Sequence, residues 1–394
     1  MTDIAVLFVA YLLSQFFRVF LAVLAPTLIG ELGVTAVQLS DATGVWFAAF
    51  AAAQIPNGLL LDRFGPRRVA AGGLGLLAGG GAALFAVAEG PAGITVAMAL
   101  IGAGCAPLLM SGMVIFARRF EAARFATWSS WMIGFGSLGN VMGSAPLGWA
   151  VEAVGWRAVM GGLAGASAVL GLALLALMRD PPRAEGAPAA GFGFAGYAEL
   201  LRMPVLWPIL ALGLFNYAVS AGVRGIWAGP YLAEVHGLSA VAVGEALVWM
   251  SVAMGLGNLV YGPLDRVLGT RKWLLLVGNG AGAAAALGLA LGAPGLAGAA
   301  ALLAALGFFG SSYGVLAAHF RSFVPARLTG RGASMINIAG IGGVGIGQFA
   351  SGAVFATAET PGDPAAGFEA AFLYYGAALA AALTVYAFSR DAKP

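Results

Sequence analysis

The stretch Gly58-Leu59-Leu60-Leu61-Asp62-Arg63-Phe64-Gly65-Pro66-Arg67-Arg68 decides the reading of this chain because a related copy follows it. The copy is Gly262-Pro263-Leu264-Asp265-Arg266-Val267-Leu268-Gly269-Thr270-Arg271-Lys272, and Asp62 and Asp265 are 203 positions apart. The same offset of 203 joins Arg124 to Arg327 and Met132-Ile133 to Met335-Ile336. Independent motifs at one offset mark an internal repeat. Each copy is a short charged segment set in long apolar sequence, so the next question is what that apolar sequence does.

The composition answers it. Of 394 residues, 60% are hydrophobic and 9% charged, and the mean hydropathy is +0.91. A soluble domain is about 45–50% apolar and about 25% charged, so this chain cannot cover a water-facing surface. Disorder is excluded by the same apolar excess. The 61 Gly and 18 Pro show no Gly-X-Y period, which excludes collagen. A polytopic membrane protein remains.

A membrane-spanning helix needs about 20 apolar residues. Twelve stretches qualify, near 4–29, 42–61, 69–88, 94–117, 125–150 and 158–178, then 204–228, 241–263, 272–292, 295–317, 332–357 and 369–389. They are continuously apolar rather than alternating, which predicts helices and not a barrel. The expected fold is therefore all-α, with twelve transmembrane helices in two bundles of six. Six spans per half keep both halves in one orientation, as a parallel repeat requires. The expected domains are 1–178, a cytoplasmic linker at 179–203 that breaks on Asp180-Pro181-Pro182, and 204–394. Ala195 to Arg202 has the composition of a short interfacial helix.

Charge sets the expected orientation. With both termini in the cytoplasm, the 20 Lys and Arg fall in cytoplasmic loops except Arg157 outside and Arg18 and Arg224 within spans. The net charge of +3 thus reflects topology, not nucleic-acid binding. Cys105 is the single cysteine and His236 and His319 the two histidines, a poor supply for metal sites or disulfides. No Gly-x-x-x-x-Gly-Lys loop is present, so no nucleotide or other cofactor is expected, and energy must come from gradients. The start Met1-Thr2-Asp3 lacks the basic region of a cleavable signal, and the first span reads as retained. Short loops and no targeting segment suggest a bacterial inner (plasma) membrane, with membrane lipid and a small-molecule substrate as partners and a monomer as the working unit.

On the repeated charged segment, the twelve spans and the central linker, the chain resembles the major facilitator superfamily over essentially its whole length. The resemblance implies secondary active transport by alternating access, with no enzymatic chemistry and no catalytic residues. It implies two six-helix bundles around a cavity lined by spans 1 and 7. It also makes Asp62, Arg63, Arg67, Asp265 and Arg266 candidate gating residues in loops after spans 2 and 8. The alternative is that these arginines only set topology and meet lipid headgroups. Span 4 carries no arginine, unlike many proton-coupled members. Span 5, Gly136-Ser137-Leu138-Gly139-Asn140, is only loosely like the exporter signature.

Charges inside spans cost about 2.5–3.5 kcal/mol on insertion scales, so they are functional candidates. They are Arg18 in span 1, Arg224 in span 7 and Glu245 in span 8. Arg18 plus 203 is Ala221, one turn from Arg224. Guanidinium forks suit carboxylate or phosphate, which points to a small organic anion, a carboxylate, carried by proton symport or exchange. Glu245 would couple protons if burial raised its pKa, or would pair with Arg224. Gln15, Tyr217 and Asn337 are the further candidate substrate contacts, since polar groups in hydrocarbon need partners. Structural alternatives stay open: Arg18 snorkelling, Arg224 at the outer headgroups. Two other functions remain in view. One is export of amphipathic compounds through a Trp-lined cavity. The other is Cu(I) import, for which Met250 and Met254 would offer two sulfurs on one helix face.

Overall fold

The computed structural model describes residues 2–120, 122–180, 195–325 and 328–392. Helix covers every one of the twelve expected stretches. The described residues contain no strand, only an isolated bridge between Thr360 and Asp363. Among them, nine helices are long and apolar enough to cross a membrane, or ten when one bent pair counts as a single span. Backbone amides in hydrocarbon can be satisfied only within the segment, which is why continuous apolar sequence becomes helix.

The chain divides into two compact units, Met1–Gly191 with Ala240–Gly244, and Phe192–Ser239 with Glu245–Pro394. In the first unit, α1 (Thr2–Phe16) and α2 (Phe20–Leu32) replace the single expected span 1 and are bent by 43°. Gly33, at φ 63°, ends α2, and a capping box of Thr35 and Gln38 starts α3 (Ala36–Ala71). A π-helical segment, Gly72–Ala78, and α4 (Gly79–Ala86) follow. Next come α5 (Pro91–Cys105), α6 (Pro107–Arg119), α7 (Ala122–Met142), α8 (Ala145–Val154) and α9 (Trp156–Leu177).

The segment Asp62 to Arg68, expected as a loop, is helical on both sides of a kink, and Ala36–Ala71 is two helices that meet at Gly65. Gly65 alone leaves helical geometry, at φ 80° and ψ 159°. The helix restarts at Pro66, whose missing N–H costs nothing in a first turn. The Asp180 carboxylate then accepts the Arg67 N–H at 2.8 Å. Glycine is needed at 65 twice over: its φ is positive, and a Cβ there would press on the Asp180 carboxylate.

The second unit begins with α10 (Ala195–Leu201), a short 3₁₀ turn at Pro204–Leu206 and α11 (Trp207–Gly222). A π-helical turn, Val223–Trp227, runs into α12 (Ala228–Glu234). Then follow α13 (Ala240–Leu268), α14 (Lys272–Leu291), α15 (Leu296–Phe309), α16 (Tyr313–Arg321), α17 (Thr329–Ala358) and α18 (Ala365–Tyr386).

Close helix packing rests on small residues in both units. At Gly139 of α7 a Cβ would run into the Leu12 carbonyl of α1, and at Gly343 of α17 into the Leu214 carbonyl of α11. Large apolar side chains such as Leu76 (79% exposed) and Val277 (70%) face outward, as a lipid-facing surface requires. Trp46, Phe85 and Trp156 are buried in the first unit, and Trp227, Tyr375 and Tyr386 in the second.

Candidate functional site

Each intramembrane arginine sits where its helix is interrupted. Arg18 lies in the turn between α1 and α2, and its N–H bonds to the Gln15 carbonyl at 3.2 Å, three residues back. Its guanidinium carbon stands 5.0 Å from the Phe50 ring centre and 5.8 Å from that of Trp46. These rings are four residues apart on α3 and stack at 5.3 Å. Arg18 is half-buried, its cation carried on aromatic faces. Gln15 is buried beside it, and its Oε1 has no hydrogen-bond partner among the described residues.

Arg224 lies in the π-helical turn Val223–Trp227 and is 1% exposed. It is enclosed by its own unit and does not reach the outer surface of the bundle. Its Nε and Nη2 both donate to Ser251 Oγ of α13, at 3.3 and 3.1 Å. Ser251 in turn donates to the Leu247 carbonyl at 3.0 Å. Two bonds from α17 bracket the π turn: Gln348 Nε2 donates to the Gly222 carbonyl at 2.8 Å, and Trp227 Nε1 donates to Ser351 Oγ at 2.9 Å. π-helical turns concentrate at functional sites.

The other candidates divide. Tyr217, on α11, is half-buried, and its carbonyl accepts from Ser220 Oγ at 3.3 Å. Asn337, on α17, accepts from the Tyr313 hydroxyl at 3.4 Å. Close by in sequence, Asn216 Nδ2 of α11 donates to Asn279 Oδ1 at 2.7 Å and to Ser312 Oγ at 2.8 Å, all three being buried. Glu245 is exposed, so the burial that a proton-carrying role required of it is not found. Met250 and Met254 both pack their Cγ against Gly307 of α15, where a Cβ would lie 3.1 Å from each. That pair fills a helix contact. Among the described residues no group of three His, Cys, Asp or Glu could hold a metal.

Of the gating candidates, the Asp62 and Arg266 side chains lie outside the described residues. Arg63 stands over Phe64 at 5.3 Å. The Arg67 N–H caps onto Asp180, as described above. Asp265 is buried and accepts from Arg271 Nε at 3.2 Å. Asp3 and Arg119 form an ion pair, and Arg119 Nη2 reaches the Arg179 carbonyl at 2.7 Å. Sequence reading did not select Ser251, Gln348, Trp46, Phe50 or Asp180 as partners. The only available signal was the i, i+4 aromatic spacing of Trp46 and Phe50.

The sequence model of the Major Facilitator Superfamily matches residues 7–244. A protein of Agrobacterium vitis named "Putative tartrate transporter" is 24% identical over 309 residues, covering 72% of this chain and 67% of that protein. The solved nucleoside transporter NupG superposes with a TM-score of 0.81 at 14% identity, covering 98% of this chain and 99% of its own. A D-xylose–proton symporter gives 0.75 at 17% identity, covering 99% and 98%. A bacterial homologue of the lysosomal transporter Spinster, solved facing inward, gives 0.72 at 18% identity, covering 98% and 94%. The structural likenesses carry the fold, and the sequence match carries the membership: the chain belongs to the Major Facilitator Superfamily and is an integral membrane transporter, not an enzyme.

Proposed function

We propose that this transporter carries a small organic anion, a carboxylate, by proton symport or exchange across a bacterial inner membrane, with both termini in the cytoplasm. The observation that supports it most is the burial of Arg224 in a π-helical turn, held by two bonds to one serine. A guanidinium in a dry site pairs with planar oxyanions through parallel bonds that a lysine cannot form. Arg18, at the interruption of its own helix, supplies the second candidate cation, and Gln15, Tyr217 and Asn337 the polar contacts. The relative of Agrobacterium vitis, named for tartrate, agrees in substrate class at 24% identity. Gating by Asp62, Arg63, Arg67, Asp265 and Arg266 belongs to the same reading; the exposed Glu245 does not.

The test is uptake of labelled mono- and dicarboxylates into proteoliposomes under an imposed pH gradient. Saturable carboxylate uptake that falls at least tenfold in both Arg18→Ala and Arg224→Ala supports the proposal. Uptake that survives both substitutions, or a transporter that moves only neutral or amphipathic compounds, overturns it.

A further inference from the structure

Past α18 the chain of the second unit is fastened down as a short strap, at three consecutive residues. Lys272 Nζ donates to the Ser389 carbonyl at 2.8 Å, and His319 Nε2 donates to the Arg390 carbonyl at 2.9 Å. The Asp391 carboxylate accepts from the Lys272 N–H at 3.0 Å and from Thr270 Oγ1 at 2.5 Å. The anchors thus come from the start of α14 and from α16. A carbonyl can only accept, so His319 Nε2 carries the hydrogen. In a neutral ring the other nitrogen is then an acceptor, and α18 fills it: the Tyr386 hydroxyl donates to Nδ1 at 2.6 Å. The ring is fully buried. The neutral tautomer therefore joins strap, α16 and α18 in one chain of bonds.

A proton added at Nδ1 turns that acceptor into a second donor facing Tyr386. It also places a cation in a pocket closed to water, which is costly. The charges around the ring do not offset this: Asp391 of the strap favours a cation there, and Arg271 and Lys272 at the start of α14 oppose it. Arg321, two residues along α16, is exposed. From α11 and α17, which also pack against α16, no charged group acts on the ring among the described residues. Water reaches the imidazolium once the strap leaves. We propose that Ser389–Asp391 is a proton-released strap, docked on neutral His319 and undocked when the ring is protonated. Histidine is the side chain whose ordinary charge change falls between about pH 5 and 8. Undocking frees the turn from which Arg271 reaches Asp265 and Ser322, so acid on that face of the membrane loosens the second charged segment.

The chain's single cysteine, Cys105, is buried, so Ala392→Cys places the one accessible thiol just past the last anchor. A nitroxide is attached there in the full chain, and its spectral line shape is read in detergent from about pH 7.5 to about pH 4.5, a window set around the histidine range. Asp391 keeps its charge over that window: burial pushes its carboxyl up, but the Thr270 and Lys272 bonds outweigh this and hold it below 3.8. The expected spectrum is immobilised at the upper end and turns mobile as the pH falls. His319→Gln, with an amide donor and acceptor that do not titrate, should stay immobilised throughout. Tyr386→Phe removes the hydroxyl that favours the neutral ring and should move the transition up by about half a pH unit or more, the effect of one neutral hydrogen bond. A spectrum already mobile at the upper end, one that never changes, or a transition that persists in His319→Gln overturns the proposal. Should His319→Gln fail to fold, Tyr386→Phe decides, and an unmoved midpoint overturns the strap. The proposal does not rest on the carboxylate reading of Arg224, and carboxylate uptake beside a fixed line shape would sink the strap alone.

Discussion

Ser251 Oγ accepts from two nitrogens of Arg224, Nε and Nη2, at 3.3 and 3.1 Å, and donates its own O–H to the Leu247 carbonyl. The hydroxyl is thereby oriented as an acceptor and fixes the plane of the guanidinium. Ser251→Ala should leave the cation in place with less control of its aim. A hydrogen bond to a charged group is worth about 1.5–3 kcal/mol. Carboxylate KM is therefore expected to rise roughly tenfold or more in Ser251→Ala, with expression unchanged. Arg224→Lys, which keeps the charge and loses the fork, should lose more. Equal kinetics in Ser251→Ala and the parent would show that aim does not matter.

Arg18 stands over two rings, those of Trp46 and Phe50. Replacing Phe50 by Leu removes the face at 5.0 Å, and cation–π contacts are worth about 0.5–2 kcal/mol. Phe50→Leu should weaken carboxylate transport a few-fold, and Phe50→Tyr should retain it. Initial uptake rates at several concentrations check this.

Gly139 stands against the Leu12 carbonyl, whereas Gly134, on the same helix, has nothing within 4 Å of a built Cβ. Overpacking costs about 1–3 kcal/mol. Gly139→Ala should lower the melting temperature in detergent, and Gly134→Ala should not. Matching melts of the two variants would contradict the packing assignment.

Gly65 and Asp180 make one joint. Gly65→Ala forces a Cβ onto positive φ beside a carboxylate, a strain of about 1–3 kcal/mol. Asp180→Ala should destabilise less, because it removes one cap and adds no clash. Differential scanning fluorimetry of both variants tests the order.

Asp391 gives a pH dependence with a definite sign. Burial pushes its carboxyl up, but bonds from Thr270 Oγ1 at 2.5 Å and the Lys272 N–H at 3.0 Å, with further backbone donors, outweigh this and hold it below 3.8. A depressed value in the fold means that the stabilisation is complete above the unfolded value and is lost as pH falls through the folded one. Asp391→Asn should therefore melt lower than the parent at neutral pH, and the two melting curves should converge below about pH 4. A constant gap down to pH 3 would remove Asp391 from this role.

The helices and the repeat were legible because they are written in composition and in the offset between Asp62 and Asp265. Bilayer chemistry makes that pattern nearly unambiguous. Arg18 and Arg224 were legible as charges in apolar surroundings. Their settings were not. No glycine or proline marks the turn at Phe17–Val19, and nothing in the sequence Val223–Trp227 distinguishes π from α winding. The partner of the Arg67 amide is Asp180, 113 residues away, and Ser251 is one serine among many. Such pairings depend on how helices are rotated in the bundle, which periodicity in an all-apolar segment does not encode. The charged segment after span 2 read as loop for a related reason. One positive-φ glycine suffices to end one helix and start the next with no loop between them.

Gln348 and Ser351 hold the two ends of the Arg224 turn from consecutive turns of α17. Both attachments belong to one rigid rod, so α17 cannot roll or slide without dragging the arginine's backbone along. The guanidinium is thereby geared to α17 through its own backbone. On the proposed reading, a substrate held by Arg224 would apply torque to α17, and any shift of α17 would re-aim the charge.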